Sequence, residues 1–589
     1  MHKTICIPIV LAAGLVLAAC GKDDIGWGQP DDTSENTVAG DDSAGGEIVT
    51  DKDDDDVAKT MFDRTVKVVF NGGSANVTGT SDAFTVSIDK AGVTITNKGE
   101  ETVIYELSGT ASNGYFKLYS TRKQELLLNG LNLTNKNGAA INNQSHKRTY
   151  VVVKGTNTLA DGSSYTQTPS DEDEKAAFFS EGQLVFSGDG SLTVNATGKA
   201  GITSDDYVRF MAAPKVKVTS TTGHGVRGKE AIIVSDGTID VAVSGTGKKG
   251  FSSDTLVYFG GGVTNIETTG SAGEVDGELT GVAGIKADLR FEMENGILNI
   301  TGTGKGAKGL SGDNVAYFKG GTVNINVTGS NYGTSSGGGW PGGGGPGGWP
   351  GGPGGGQGSS TSDNSVASKG IKFDGNMYIS GGKITVKSTN HEALEAKGVI
   401  VISGGELSCV SGDDAINSGG DFTVEGGAVF AQSTGNDALD ANGNMYIKGG
   451  IVYAVGTRSP ELAIDANSEK QKKLYLSGGT VIAVGGLESG ASLTQSCWSA
   501  GTVRANTDYA LFDKDGKVIC AFKTPSASNL TLVLSAANLD SVKYGVTVNG
   551  GTAYFGGLFT EGATVSGGSG CTLSSYSGGG GPGGGPGGW

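Results

Sequence analysis

The sequence predicts an all-β chain, a right-handed parallel β-helix (a solenoid of short strands wound about one axis), with a C-terminal β-rich capping region. Three observations carry this. Glycine supplies 105 of 589 residues while aromatics are 7% and hydrophobics 36%, a balance that favours many turns and short strands over an average globular core. A Gly-Gly turn followed by alternating apolar and polar residues recurs along the chain, as in Gly320-Gly321-Thr322-Val323-Asn324-Ile325 and Gly381-Gly382-Lys383-Ile384-Thr385-Val386. The recurrence has a period: the second glycines at Gly382, Gly405, Gly427 and Gly450 lie 23, 22 and 23 residues apart.

A repeat near 23 residues with two or three short strands is one coil of a parallel β-helix. A leucine-rich repeat would need a helical pattern or an Asn/Leu ladder in the second half of each unit, and neither is there. A propeller blade would need about 40 residues. Residues at equivalent positions then stack about 4.8 Å apart, so aligned positions become columns. One column reads Ile202, Val226, Phe251, Ile285, Leu310, Ile371, Leu394, Ile416, Leu439, Ile464. It is apolar throughout and must face inward, with roughly 1.5 to 3 kcal/mol for each buried side chain.

Two residues before it runs a second column: Ala200, His224, Lys249, Ala283, Lys308, Lys369, Glu392, Asp414, Asp437, Leu462. Its charge passes from basic to acidic. One residue after the apolar column come Glu395, Asn417, Asp440 and Asp465, and three before it His391, Asp413, Asn436 and Glu461. Like charges stacked at strand spacing repel unless something neutralises them. Calcium suits the stripe Glu392, Glu395, Asp413, Asp414, Asp437, Asp440, Glu461 and Asp465, because its bonds to oxygen, about 2.3 to 2.6 Å, let one ion touch carboxylates of adjacent coils. A solvated acidic face, or carboxylates accepting turn N–H groups, is the alternative. No EF-hand loop is present, so such a site is built across coils.

The flanking segments divide the chain further. Residues 1–19 read as an export signal, with Lys3 before an apolar run too short to span a membrane. It ends Leu17-Ala18-Ala19-Cys20-Gly21, which looks like a bacterial lipobox, so Cys20 is the expected lipidation site and the membrane is reached through that lipid. Gly21 resembles the residue found in lipoproteins sent to the outer membrane, and Lys22-Asp23-Asp24 resembles the signal of Bacteroidota lipoproteins exposed at the cell surface. Residues 20–62, with the run Asp53-Asp54-Asp55-Asp56, read as an acidic flexible tether. The β-helix is expected over 63–486, interrupted by a Gly/Pro/Trp-rich insertion at 337–358. The cap covers 487–577, and a Gly/Pro/Trp tail 578–589 follows. Trp340, Trp349 and Trp589 either sit in plain loops or stack on sugar rings. Of the later cysteines, Cys409, Cys497, Cys520 and Cys571, no pair has zinc-site spacing. A disulfide among the last three and buried free thiols both fit.

From about Phe62 to Gly486 the residues resemble the carbohydrate-binding domain-containing proteins typified by a clostridial cellulose- and pectin-binding β-helix protein. The resemblance is carried by Leu126-Leu127-Leu128-Asn129-Gly130-Leu131-Asn132-Leu133, Ala176-Ala177-Phe178-Phe179-Ser180, Gly188-Asp189-Gly190-Ser191-Leu192-Thr193-Val194, Gly201-Ile202-Thr203-Ser204-Asp205-Asp206 and Gly412-Asp413-Asp414-Ala415-Ile416-Asn417. It implies a pectate-lyase-like right-handed β-helix, calcium along the coils, and affinity for plant-type polysaccharides with acidic sugars. Ala212-Ala213-Pro214 stands where a Gly-Gly turn is usual, and His224, Arg227 and Lys229 depart from the family pattern.

A formal charge of −17 excludes nucleic acid as a natural partner. His146, His224 and His391 stand in no Ser/His/Asp constellation. The leading expectation is a cell-surface, calcium-assisted, non-catalytic polysaccharide-binding protein. Two alternatives are a calcium-dependent lyase acting on uronate polymers, with Lys369, Arg227 or Lys249 as base, and an adhesin or scaffold with a protein partner.

Overall fold

The computed structural model describes residues 53–577 apart from 167–168, 170–171, 334–364, 459 and 527–528. The expected signal segment, Cys20, most of the tether, the Gly/Pro/Trp insertion and the tail, with Trp340, Trp349 and Trp589, lie outside the described residues. Described residues share one compact unit, an all-β parallel solenoid. One of its faces is a 15-stranded sheet running from Phe84–Asp89 to Ile464–Ala466. Two further faces are ladders of parallel strands, such as Met377–Ile379 on Ile400–Ile402 and Lys383–Ser388 on Glu406–Ser411.

The apolar column forms in register. Ile202 pairs with Val226, Val226 with Phe251, and so on through Leu394, Ile416, Leu439 and Ile464, each of them 0% exposed. It extends backward through Phe178, Ile141, Phe116 and Val93. Alternation along each strand sends every second side chain into the same continuous core. Between the faces, Phe186 stacks on Phe210 of the next coil and meets Phe178 edge-on.

Both glycines of the repeat are required, for different reasons. Gly405 has φ 81°, a left-handed conformation that other residues adopt at a cost. A Cβ on its neighbour Gly404 would stand 2.3 Å from the Ser380 carbonyl oxygen of the coil below. Where Ala212 and Ala213 replace the pair, both take left-handed φ, 54° and 59°. That turn therefore holds strain which the glycine turns avoid.

Both solenoid ends are covered, as exposed edge strands and core require. Phe84–Asp89 pairs antiparallel with Ala91–Asn97 at the first coils. At the other end Thr531–Ser535 pairs antiparallel with the last coil strand, Thr480–Val484, and with Cys497–Thr502. A six-stranded antiparallel sheet completes the cap and packs Tyr509 and Phe522 against Tyr453. Cys409, Cys497, Cys520 and Cys571 are free thiols, the first three buried, so the disulfide alternative is not realised.

One boundary differs from expectation. Asp53–Asp55 and Val57–Lys59 are short 3-10 turns docked on the solenoid. Asp55 is buried between Arg148, 2.9 Å away, and Arg209, 3.0 Å away, and accepts a hydrogen bond from the Tyr207 hydroxyl. The acidic run is thus a docked strap at its end, because two buried guanidinium groups need a carboxylate.

Candidate functional site

The charged columns belong to the outer side of the 15-stranded sheet, at the corner where each strand begins. A bend precedes the strand, so residues two before and one after the apolar column share the same outer side. Thus the Asn417 side chain donates to Asp414 at 2.9 Å within one coil and to Asp440 at 3.0 Å in the next. Between the outer and inner residue of the columns stands Gly in the coils through Gly370 and Ala from Ala393 on, and at the glycine positions even a methyl group does not fit. At Gly250, for example, a Cβ would lie 2.3 Å from Ile266 Cγ2 and 2.6 Å from the Gly284 carbonyl oxygen.

Along this corner the structure brings together part of the expected acidic set. Ligand oxygens of Asp437, Asp440 and Asp465 lie within 4.8 Å of one another. Asp414 stands one coil below Asp437 and accepts its backbone N–H at 3.1 Å. Asp437 in turn accepts from Leu462 N–H. Among the described residues no Lys or Arg forms an ion pair with these four. Burial, then charge from neighbouring carboxylates, pushes Asp414 and Asp437 up to about 7 and Asp440 up to about 6. Glu461 adds to that repulsion at Asp437 and Asp440 but lies outside the close trio.

Of the other expected ligands, Glu392 and Glu395 already share a lysine, and Asp413 stands with His391 and Glu392 in a separate close group, ligand atoms within 4.8 Å. Lys369 reaches Glu392 at 3.1 Å and Glu395 at 2.6 Å. Burial opposes its charge, but the two carboxylates outweigh burial and hold the lysine above its ordinary value. His391 Nδ1 contacts Glu392, and lies 3.1 Å from Asp413. Burial works to raise Glu392, yet the His391 hydrogen bond and Lys369 charge leave it below the usual range. Asp413 also accepts from the Asn436 side chain at 3.2 Å.

Three features escape the sequence columns. Leu487 bridges to Ile464, which places the buried Glu488 on top of Asp465. Asp465 is raised by burial first and then by its hydrogen bond and charge interaction with Glu488; two carboxyl groups share a hydrogen bond only when one is protonated. The spacing from Ile464 to Leu487 is again 23, and that is the signal that could have found it. A second acidic group, Asp173, Glu181 and Asp205, is crossed by Lys175, 2.7 Å from Asp173 and 2.5 Å from Asp205. At the basic end Lys286 and Lys372 join Lys249 and Lys308 around a cavity. His224 is no acid or base there: burial and adjacent cations lower it to about 3, and its Nδ1 accepts the Lys249 N–H at 3.1 Å.

The family model for carbohydrate-binding domain-containing proteins matches residues 89–415, more than half of the chain. A curated relative from Acetivibrio thermocellus, described as a carbohydrate-binding domain-containing protein, is 30% identical over 150 residues, 24% of this chain and 50% of that protein. The chain therefore spans about half the length of that relative. A solved structure of a polysaccharide lyase-like protein from C. thermocellum, a gadolinium derivative, aligns with a TM-score of 0.34 and 20% identity, over 45% of this chain and 92% of that one. The matched segment includes Glu392, Glu395, Asp413 and Asp414 and stops before Asp437, Asp440 and Asp465. With a match of that extent, the chain belongs to the carbohydrate-binding domain-containing protein family.

Proposed function

We propose that this protein binds acidic polysaccharide at the outer-membrane surface, anchored through lipid on Cys20, and that calcium on the acidic corner assists binding without cleavage. One observation carries the reading: carboxylates of successive coils converge at Asp437, Asp440 and Asp465, ligand atoms within 4.8 Å, with no basic partner among the described residues. The donor set is all oxygen, the chemistry a hard dication prefers. Asp414 and Glu488 stand beside the trio and would complete its shell. When bound, calcium supplies the positive charge by which a sugar carboxylate and protein carboxylates share one centre. The chain's own part is to fix the oxygens on rigid strands, so that little order must be gained on binding.

Calorimetry tests this with calcium first and then a pectin and cellulose panel. Wild type should take up calcium and, once loaded, retain polygalacturonate above cellulose. Asp437→Asn with Asp465→Asn should lose the calcium signal. A loaded protein that retains no member of the panel ends the binding reading, and an unaltered calcium signal in the double variant ends the metal assignment. A lyase reading is favoured by one fact, that Lys249 and Lys308 are held down at about 8, near the range of a proton acceptor. Steady release of an unsaturated, ultraviolet-absorbing product from polygalacturonate would replace the non-catalytic reading.

A further inference from the structure

The basic half of the same corner has its own architecture. Lysines alternate between its two outer columns over three coils, and the fourth coil carries one in each column. Lys249 pairs in register with Ala283, Ala283 with Lys308 and Lys308 with Lys369, while Ser252 pairs with Lys286, Lys286 with Ser311 and Ser311 with Lys372. Each of these lysines except Lys369 therefore faces a small residue above or below it. The space left by Ala283 and Ser311 is a cavity of about 260 Å³ whose charged lining is Lys249, Lys286, Lys308 and Lys372 with one carboxylate, Asp313, which Lys286 neutralises. That is below the roughly 300–1,000 Å³ of pockets for drug-sized ligands, and suits one sugar unit.

The charges around it are unequally matched. Lys286 is paired with Asp288 at 2.7 Å and Asp313 at 2.6 Å, and Lys372 with Asp374 at 2.6 Å. Lys308 makes no ion pair among the described residues, and Lys249 spends its ammonium group on the Gly247 carbonyl oxygen at 2.8 Å. Two largely buried cations thus face the cavity with no carboxylate of their own. Burial, then the neighbouring lysines, draws both down to about 8, so at neutral pH they remain mostly protonated. Buried charge is held at a cost unless a counter-charge arrives.

We infer that Lys249 and Lys308, with Ala283 between them and Ser311 in the coil of Lys308, form a metal-independent site for the oxyanion substituent, carboxylate or sulfate ester, of one unit of an acidic polysaccharide. The inference rests on the glycan-binding reading of this face and adds to it a second anchoring point of opposite chemistry. The two lysines are two strand spacings apart, roughly 9–10 Å. An oxyanion between them accepts from both, and the Ser311 hydroxyl, which itself donates to the Ile285 carbonyl at 3.2 Å, offers its lone pairs to a hydroxyl of the sugar.

The test titrates digalacturonate, a sulfated disaccharide and cellobiose in EDTA against wild type and the Lys249→Gln, Lys308→Gln double variant. The expected result is binding of one or both charged disaccharides to wild type, at least tenfold weaker binding to the double variant, and no binding of cellobiose. Which charged probe binds more tightly separates carboxylate from sulfate. Because each substitution removes a charge without a partner, the double variant should unfold at a temperature no lower than wild type. Equal affinity of both proteins for the charged probes, or no binding by wild type in EDTA, overturns the inference. In either case calcium-dependent retention of polygalacturonate would leave the proposed function standing. Loss of polymer retention with disaccharide binding intact would do the reverse.

Discussion

Asp437→Asn should remove much of the protein's pH sensitivity between pH 4 and 7. The Asp437 carboxyl moves from its ordinary 3.8 to about 7 in the folded chain, through burial and then repulsion from Asp414, Glu461 and Asp440. The unfolded chain therefore releases this proton near 3.8 while the fold keeps it until about 7. Across that window the folded state binds more protons, so stability falls as pH rises and levels off above it. Three units at about 1.4 kcal/mol each give a loss on the order of 4 kcal/mol by pH 8. Asp414 carries a similar shift, but the two repel each other and their contributions do not add. Asparagine can still accept the Leu462 N–H and carries no charge. In EDTA, wild-type unfolding midpoints should decline from pH 5 to pH 8, and the variant's should decline much less. Calcium at one hundred times its dissociation constant should return about 2.7 kcal/mol to wild type at pH 8 and nothing to the variant. A wild-type profile flat over this range, or one the substitution leaves unchanged, would refute the argument.

Other perturbations probe the scaffold. Ile416→Ala removes a side chain with 0% exposure from the stacked column and should cost about 2–5 kcal/mol in chemical unfolding; Ile416→Asp should open the neighbouring coils to protease. Gly405→Ala, at φ 81°, should cost about 1–3 kcal/mol and lower the thermal midpoint, with crowding against the coil below adding to it. Asp55→Ala removes the buried carboxylate between the Arg148 and Arg209 guanidinium groups and should cost about 3–5 kcal/mol, read as faster amide exchange where the strap docks.

The coil stack is legible in the sequence because a solenoid converts constant spacing into vertical neighbours. Every residue of the apolar column from Ile202 to Ile464 pairs as its spacing requires. The acidic convergence follows from the same arithmetic, since Asn417, Asp440 and Asp465 are register partners. Other contacts have no such signal. Asp55 reads as part of an unpatterned acidic run, and its partners Arg148 and Arg209 are far along the chain. Lys286 and Lys372 occupy the same position in their coils as Glu395, but 34 and 61 residues separate the apolar residues of the coils concerned from those before them, Phe251 to Ile285 and Leu310 to Ile371. Insertions of unequal length hide the cavity they share. Nor does spacing reveal that Lys369 already serves Glu392 and Glu395, because side-chain reach, not register, decides that pairing.

A stack whose members touch only the members above and below can gain or lose whole turns without repacking the rest. The family-matched segment ends at residue 415, and the trio at Asp437, Asp440 and Asp465 stands on the turns beyond it. Length is thus a free variable in this architecture, and each added rung extends the strand faces by a fixed step, as a notch extends a ruler.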